Sequence, residues 1–154
     1  MAGRSCRATS LRRGLPGRRS DSQACAAELL AREKAARRAR LGPWANSYYA
    51  ELDGAAAADL LAQKGRFALV EGTVASVRES GATIYLNFGW QWSQDLAVTV
   101  LKRNKRNFAA AGLDLKKLTG RRVRVRGIIE ARGTAGSPRF EARRPEQIET
   151  ADRD

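Results

Sequence analysis

The sequence predicts a mainly β domain with helices ahead of it, on two observations. From residue 66 onward apolar and polar residues alternate in short runs separated by turn chemistry, in the order strand, strand, strand, helix, strand, strand. Before residue 66 the pattern is helical, with one long stretch rich in Ala, Arg and Glu and one short one. Five strands with a helix between the third and fourth is the plan of an OB-type barrel (β-β-β-α-β-β), here preceded by one long and one short helix. An SH3-like antiparallel barrel is the alternative, and it usually lacks the intervening helix. The length of 154 residues suits one ordinary domain with accessory segments.

Residues 1–21 read as a disordered basic leader. The first 20 hold six arginines, no acid, and only Met1, Leu11 and Leu15 as large apolar groups, too little to offset the entropy of ordering. Either this is an arm that grips phosphates, or Met1 is a false start and the leader is not native coding sequence. Residues 22–64 form the helical segment. Asp21 or Ser22 is placed to cap a helix running to Leu41, with acid-before-base pairs Glu28–Arg32 and Glu33–Arg37, and with Gly42 and Pro43 as the stop. Cys25, Leu29 and Ala36 share one stripe, but Glu33 and Arg40 intrude on it. An aromatic loop, Trp44 to Asp53, leads to a short helix from Gly54 to Lys64, capped by Asp53 and stopped by Gly65.

The barrel is expected over 65–150, with 151–154 as a tail. Phe67 to Arg78 is a β-branched run in which Gly72 suits a bulge. After the turn Glu79-Ser80-Gly81, Ala82 to Phe88 sets Ile84, Leu86 and Phe88 on one face and Tyr85 and Asn87 on the other. A loop with Trp90 and Trp92 leads to a third strand, Asp95 to Lys102, with Leu96, Val98 and Val100 inward. Residues 103–112 read as a helix closed by Gly112, followed by a polar connector carrying Leu115 and Leu118. The fourth strand, Arg121 to Glu130, points Val123, Val125 and Ile129 inward and Arg122, Arg124 and Arg126 outward. Arg132 to Pro138 is a loop, and Arg139 to Glu149 contains the last strand with Phe140 and Ala142 on its core side.

Composition limits the chemistry. There are 29 Lys+Arg against 16 Asp+Glu, a net charge of +13, and 23 of the cations are arginine. Such a balance points to an anionic partner, nucleic acid first; a GC-rich coding background explains the Arg:Lys ratio but not the excess of cations. With no histidine and only two cysteines, Cys6 and Cys25, the residues for Ser-His-Asp or Cys-His catalysis, a Cys/His zinc site or a histidine-held haem are missing. No metal or cofactor is expected. No apolar run approaches the ~20 residues of a membrane span, and no apolar stretch of a signal peptide follows the basic start. The compartment stays open: cytoplasmic by default, exported if the true start lies upstream.

The motifs Val70-Glu71-Gly72, Tyr85-Leu86-Asn87-Phe88-Gly89, Gly120-Arg121-Arg122-Val123-Arg124-Val125-Arg126-Gly127 and Arg144-Pro145-Glu146-Gln147-Ile148-Glu149 resemble the C-terminal module of bacterial thermonuclease-like (SNase-like) proteins. That module is an OB-type nucleic-acid-binding domain. Arg40-Leu41-Gly42-Pro43-Trp44 resembles the end of the last helix of the nuclease barrel in that family, so the resemblance covers about residues 24–150. The family's catalytic arginines, glutamate base and calcium-binding aspartates lie upstream of that helix, and none carries over to a position here. The carboxylates within the barrel are scattered singly among cations, which suits ion pairs rather than a metal cluster.

The resemblance therefore implies a non-catalytic module binding single-stranded DNA or RNA. OB barrels receive a strand across their second and third strands, by aromatic stacking and phosphate contact. The candidate contacts are Tyr85, Trp90 and Trp92 for bases, with Lys102, Arg103, Lys105 and Arg106 for phosphates. Arg122, Arg124 and Arg126, about 7 Å apart along one strand face, join the phosphate set. Alternatively, Tyr85 and the tryptophans close the barrel end and the cations form a solvated exterior. Two further functions remain open: a fragment of a calcium-dependent phosphodiesterase whose catalytic barrel lies upstream, and a structural or protein-interaction barrel.

Overall fold

The computed structural model describes residues 19–46, 51–91, 93–133 and 136–151, with side chains from Cys25 onward. Most of the basic leader and Trp92 therefore lie outside the described residues. The chain divides into two units at Ala45/Asn46.

In the first unit, helix α1 (Arg19–Arg38) begins three residues before Ser22. Both sequence-predicted pairs form, Glu28–Arg32 at 2.6 Å and Glu33–Arg37 at 3.4 Å. The helix stops earlier than predicted. Arg40 N–H donates to the Arg37 carbonyl (3.0 Å) and Leu41 N–H to the Ala36 carbonyl (2.9 Å), the paired bonds of a Schellman stop. The left-handed residue in that stop is Arg40, φ 50°, and not Gly42. Gly42, φ 60°, opens a 3-10 turn (Gly42–Ala45) instead. The weak apolar stripe is visible in Leu29, 59% exposed.

The second unit is the barrel. Its strands are β1 (Leu52–Asp53), β2 (Phe67–Thr73), β3 (Ser76–Ser80), β4 (Thr83–Asn87), β5 (Ala97–Leu101), β6 (Arg122–Ile128), β7 (Glu130–Arg132), β8 (Ser137–Glu141) and β9 (Ile148–Thr150). They form a four-stranded sheet in the order β1-β2-β6-β9 and a five-stranded sheet in the order β3-β4-β5-β8-β7. Two predicted strands are each split between the sheets. Val74 still exchanges hydrogen bonds with Gly120 and Arg121, while Ala75 N–H already donates to Asn87 on β4. The run from Phe67 thus changes partner at Val74–Ala75, not at Gly72. The same division makes β6 and β7 of the predicted fourth strand. With β2 paired antiparallel to β6, and β5 paired parallel to β8, the closed order is that of an OB-type barrel.

Gly72 has a different role from the predicted bulge. It pairs in register with Val123, and an added Cβ would lie 2.7 Å from the Phe88 ring. The loop predicted at 132–138 closes early, because β8 already starts at Ser137. The last strand divides into β8 and a short β9 on β6.

The segment 46–64, grouped by sequence with the long helix, belongs to this unit. Leu52–Asp53, predicted as loop, pairs parallel with β2. Helix α2 spans only Ala57–Ala62, and Asp53 accepts the Ala55 N–H at 2.9 Å rather than capping the helix. Leu60 from α2 is fully buried. Between β5 and β6, a 3-10 turn (Lys102–Asn104) leads into helix α3 (Lys105–Ala110), in place of the single helix predicted over 103–112. Phe108 from α3 joins one core with Ile84, Leu86, Val98, Val123 and Phe140. Each such side chain contributes about 1.5–3 kcal/mol on burial. The polar connector is a 3-10 turn, Leu115–Leu118, and both of its leucines are buried.

Candidate nucleic-acid interface

Alternation about the buried Ile84 and Leu86 turns Tyr85 to the outer face of the five-stranded sheet. Cross-strand register then fixes its neighbours. Arg78, Tyr85, Thr99 and Glu141 form one row across β3, β4, β5 and β8, and Ser76, Asn87, Ala97, Arg139 and Glu130 form the next. Arg132, at the end of β7, spans the two intervening strands to place its guanidinium 5.5 Å from the centre of the Tyr85 ring. That distance is within cation–π range.

The floor of this face is small and hydrogen-bonded. Thr99 Oγ1 donates to the Phe140 carbonyl at 3.2 Å, and Asn87 Nδ2 donates to Ser76 Oγ at 3.2 Å. Asn87 is buried despite its outward phase. Glu141 receives Arg143 through two bonds, 3.1 and 3.0 Å. Those bonds, with the charges of Arg143, Arg139 and Arg103, outweigh its burial and hold its carboxyl below the usual range. Arg139 Nε is shielded from solvent and has no hydrogen-bond partner. The face thus carries more guanidinium than carboxylate.

Lys102 and Lys105 lie at the edge of the same sheet, where Lys102 N–H donates to the Ala82 carbonyl in the β3–β4 turn (2.8 Å). Lys102, Lys105 and Lys116 converge on Glu79, at 3.4, 3.5 and 3.6 Å. The hydrogen bond from Lys102, then the charge of Lys105, lowers the Glu79 carboxyl below its ordinary value. One carboxylate balances only one of three ammonium groups. Arg103 and Arg106 are exposed beside them.

The predicted row Arg122, Arg124 and Arg126 lies elsewhere, on β6 in the four-stranded sheet. Its residues do face outward, but each meets an acid. Arg122 pairs with Glu71 at 2.5 Å, Arg124 with Glu71 at 2.6 Å and Glu51 at 3.2 Å, and Arg126 with Glu149 at 2.8 Å. For Arg124, burial opposes the charge, yet Glu51 and then Glu71 outweigh it and raise the guanidinium above its ordinary value. The structure therefore brings Tyr85, Lys102 and Lys105 to one sheet and its edge, and sets the arginine row on the other.

Trp90 stands 83% exposed on the β4–β5 loop. That loop is tied by Asp95, whose carboxylate accepts the Gln91 N–H at 2.7 Å, and the same carboxylate leaves no room for a Cβ at Gly89. Sequence reasoning missed Arg78, Arg139, Arg143, Arg132 and Lys116. Arg78 was within reach, because counting back through the Ser80–Thr83 turn puts it opposite Tyr85. Arg132 had no sequence signal, since its contact with Tyr85 depends on how the β7–β8 hairpin lies over the sheet.

A cavity of about 470 Å³ opens beside β1, lined in part by Glu51, Asp53, Glu71, Phe88 and Arg122. Its carboxylates are engaged: Glu71 and Glu51 with arginines, Asp53 with the Ala55 N–H. Among the described residues no group of three or more His, Cys, Asp or Glu side chains is arranged to hold a metal ion. Among the same residues no helix is long and apolar enough to cross a membrane.

No protein-family model matches the chain, and no curated protein matches it in sequence, so the thermonuclease-like resemblance rests on its motifs alone. Solved structures similar to it include an aspartyl-tRNA synthetase from Leishmania major (TM-score 0.47, 9% identity, 74% of this chain and 23% of that one). Asparaginyl-tRNA synthetase from Pyrococcus horikoshii matches at TM-score 0.41 and 18% identity, over 60% of this chain and 21% of that one. A chain of the Stn1-ten1 complex from S. pombe matches at TM-score 0.41 and 18% identity, over 58% and 60%. The chain spans less than a quarter of the length of the two synthetases. The OB-type assignment stands on the strand order described above.

Proposed function

We propose that this chain is a nucleic-acid-binding OB module that takes a single strand across β4 and β5. Bases stack on Tyr85, with the exposed Trp90 of the β4–β5 loop as a second stacking candidate; Trp92, the third, lies outside the described residues. Phosphates run along Arg78, Arg132 and Arg139 and onto the Lys102–Lys105–Lys116 cluster, with Arg103 and Arg106 beside it. The observation that carries this reading is one sheet face holding an aromatic ring amid guanidinium groups that outnumber its carboxylates. Stacking is worth about 1–3 kcal/mol per base and tolerates any sequence. Stacking and backbone charge do not distinguish bases, so weak sequence preference follows.

The module binds and does not hydrolyse. Its finer placement, as the C-terminal module of a thermonuclease-like protein, rests on the motifs quoted above. Anisotropy titration with a labelled oligothymidylate across a salt series tests the reading. The eight cations named, each meeting one phosphate, give a slope of log K against log salt of about −5.6 for a single strand. Affinity indifferent to salt would point instead to a protein-interaction barrel, and calcium-dependent cleavage of the oligonucleotide would restore the phosphodiesterase reading.

A further inference from the structure

We propose that Arg132 is a displaceable cap on Tyr85, its guanidinium occupying in the free chain the place that a nucleobase takes on binding. This role rests on the five-stranded face being a nucleic-acid interface, and adds how that interface opens. The guanidinium lies 5.5 Å from the ring centre, and Arg132 itself is exposed at the end of β7. Among the described residues no carboxylate pairs with Arg132, in contrast to Arg122, Arg124 and Arg126. Among the described residues its side chain meets the Tyr85 ring and no carboxylate.

A guanidinium is planar, like a base, and lies over an aromatic face in the same manner. An exposed cation–π contact is weaker than a stacked base. An incoming strand brings both replacements together: a base for the ring and a phosphate for the guanidinium. Until then the cap keeps the Tyr85 face from other flat apolar surfaces. Arg139, on the neighbouring strand β8, brings a second guanidinium to the same face.

The experiment is NMR of the ¹⁵N-labelled full chain titrated with oligothymidylate. The Arg132 Nε–H signal, assigned by its loss in Arg132→Lys, is expected upfield in the free chain from the Tyr85 ring current. That upfield shift should vanish in Tyr85→Leu. At saturation the signal moves downfield to a phosphate-bonded position while the Tyr85 ring protons move upfield beneath a base. If the strand binds and shifts Tyr85 but Arg132 keeps its upfield position, the cap is refuted and the interface survives. If no strand binds, the interface fails and the cap with it. A second variant gives an independent readout. Arg132→Ala should flatten the salt slope by about 0.7. It should also raise the affinity extrapolated to 1 M salt by roughly two- to five-fold, because the ring no longer needs uncovering. Unchanged or reduced affinity at 1 M salt overturns the proposal.

Discussion

The two sheets of the barrel both present arginines to the outside, and they differ in what lies opposite. On the four-stranded sheet Arg122, Arg124 and Arg126 face Glu71, Glu51 and Glu149, so the charge is largely closed off. On the five-stranded sheet Glu141 is bonded to Arg143, while Arg139 retains a donor without a partner and Arg132 lies on an aromatic ring. A count of arginines cannot separate these faces. The cross-strand partner does, because a guanidinium already held by a carboxylate must give up that bond before it can meet a phosphate.

The largest effect expected from this contrast is on stability. Arg124→Ala leaves Glu71 and Glu51 without their shared partner in a partly buried setting, and should cost about 2 kcal/mol in a urea titration. Oligonucleotide affinity should change by less than about twofold, the spread expected for a surface change away from the site. A large loss of binding with little loss of stability would reverse the assignment of the two faces.

Aromatic groups sharpen the same contrast. Phe67 is 68% exposed on the four-stranded sheet beside Ile128, while Tyr85 sits among cations on the other. Tyr85→Ala should weaken oligothymidylate binding by about 5- to 150-fold. Phe67→Ala should leave it unchanged. Equal losses in the two variants would mean that any exposed ring serves.

A smaller effect concerns pH. Glu79 and Glu141 are both held below the ordinary carboxylate value by their cations. In that range the unfolded chain binds more protons than the folded one, so stability rises with pH there. The stabilisation is present above the unfolded value, near 4.3, and is lost as pH falls through the lowered folded values. Glu79→Gln should flatten the part due to Glu79 in acid titrations followed by circular dichroism. At neutral pH it removes the carboxylate from among three lysines, and binding should strengthen at low salt. Unchanged acid sensitivity would mean that the lysine cluster leaves Glu79 unperturbed.

Much of the barrel was legible because burial imposes a period of two. Ile84 and Leu86, Leu96, Val98 and Val100, and Val123 and Val125 all point inward as their alternation predicts. What was illegible depends on distant partners. The change of partner at Val74–Ala75 carries no Gly or Pro, since both ladders accept the same extended backbone there. β1 is two residues long and owes its form to β2, too little for any periodic signal. The helix stop at Arg40 defied the glycine two residues later because the Schellman bonds to Ala36 and Arg37 offset the strain of a left-handed arginine. In the interface, the outward phase of Tyr85 and of the arginine row was readable. The acids that occupy that row were not, because Glu71 lies 53 residues from Arg124 in the chain.

The central claim is that phosphates are met by the five-stranded face and not by the arginine row. Salt-dependent titration of two double variants tests it most directly: Arg78→Ala with Arg139→Ala, and Arg122→Ala with Arg126→Ala. The first should flatten the slope of log K against log salt by about 1.4, and the second should leave it within error of the parent. A slope flattened only by the second pair would contradict the account.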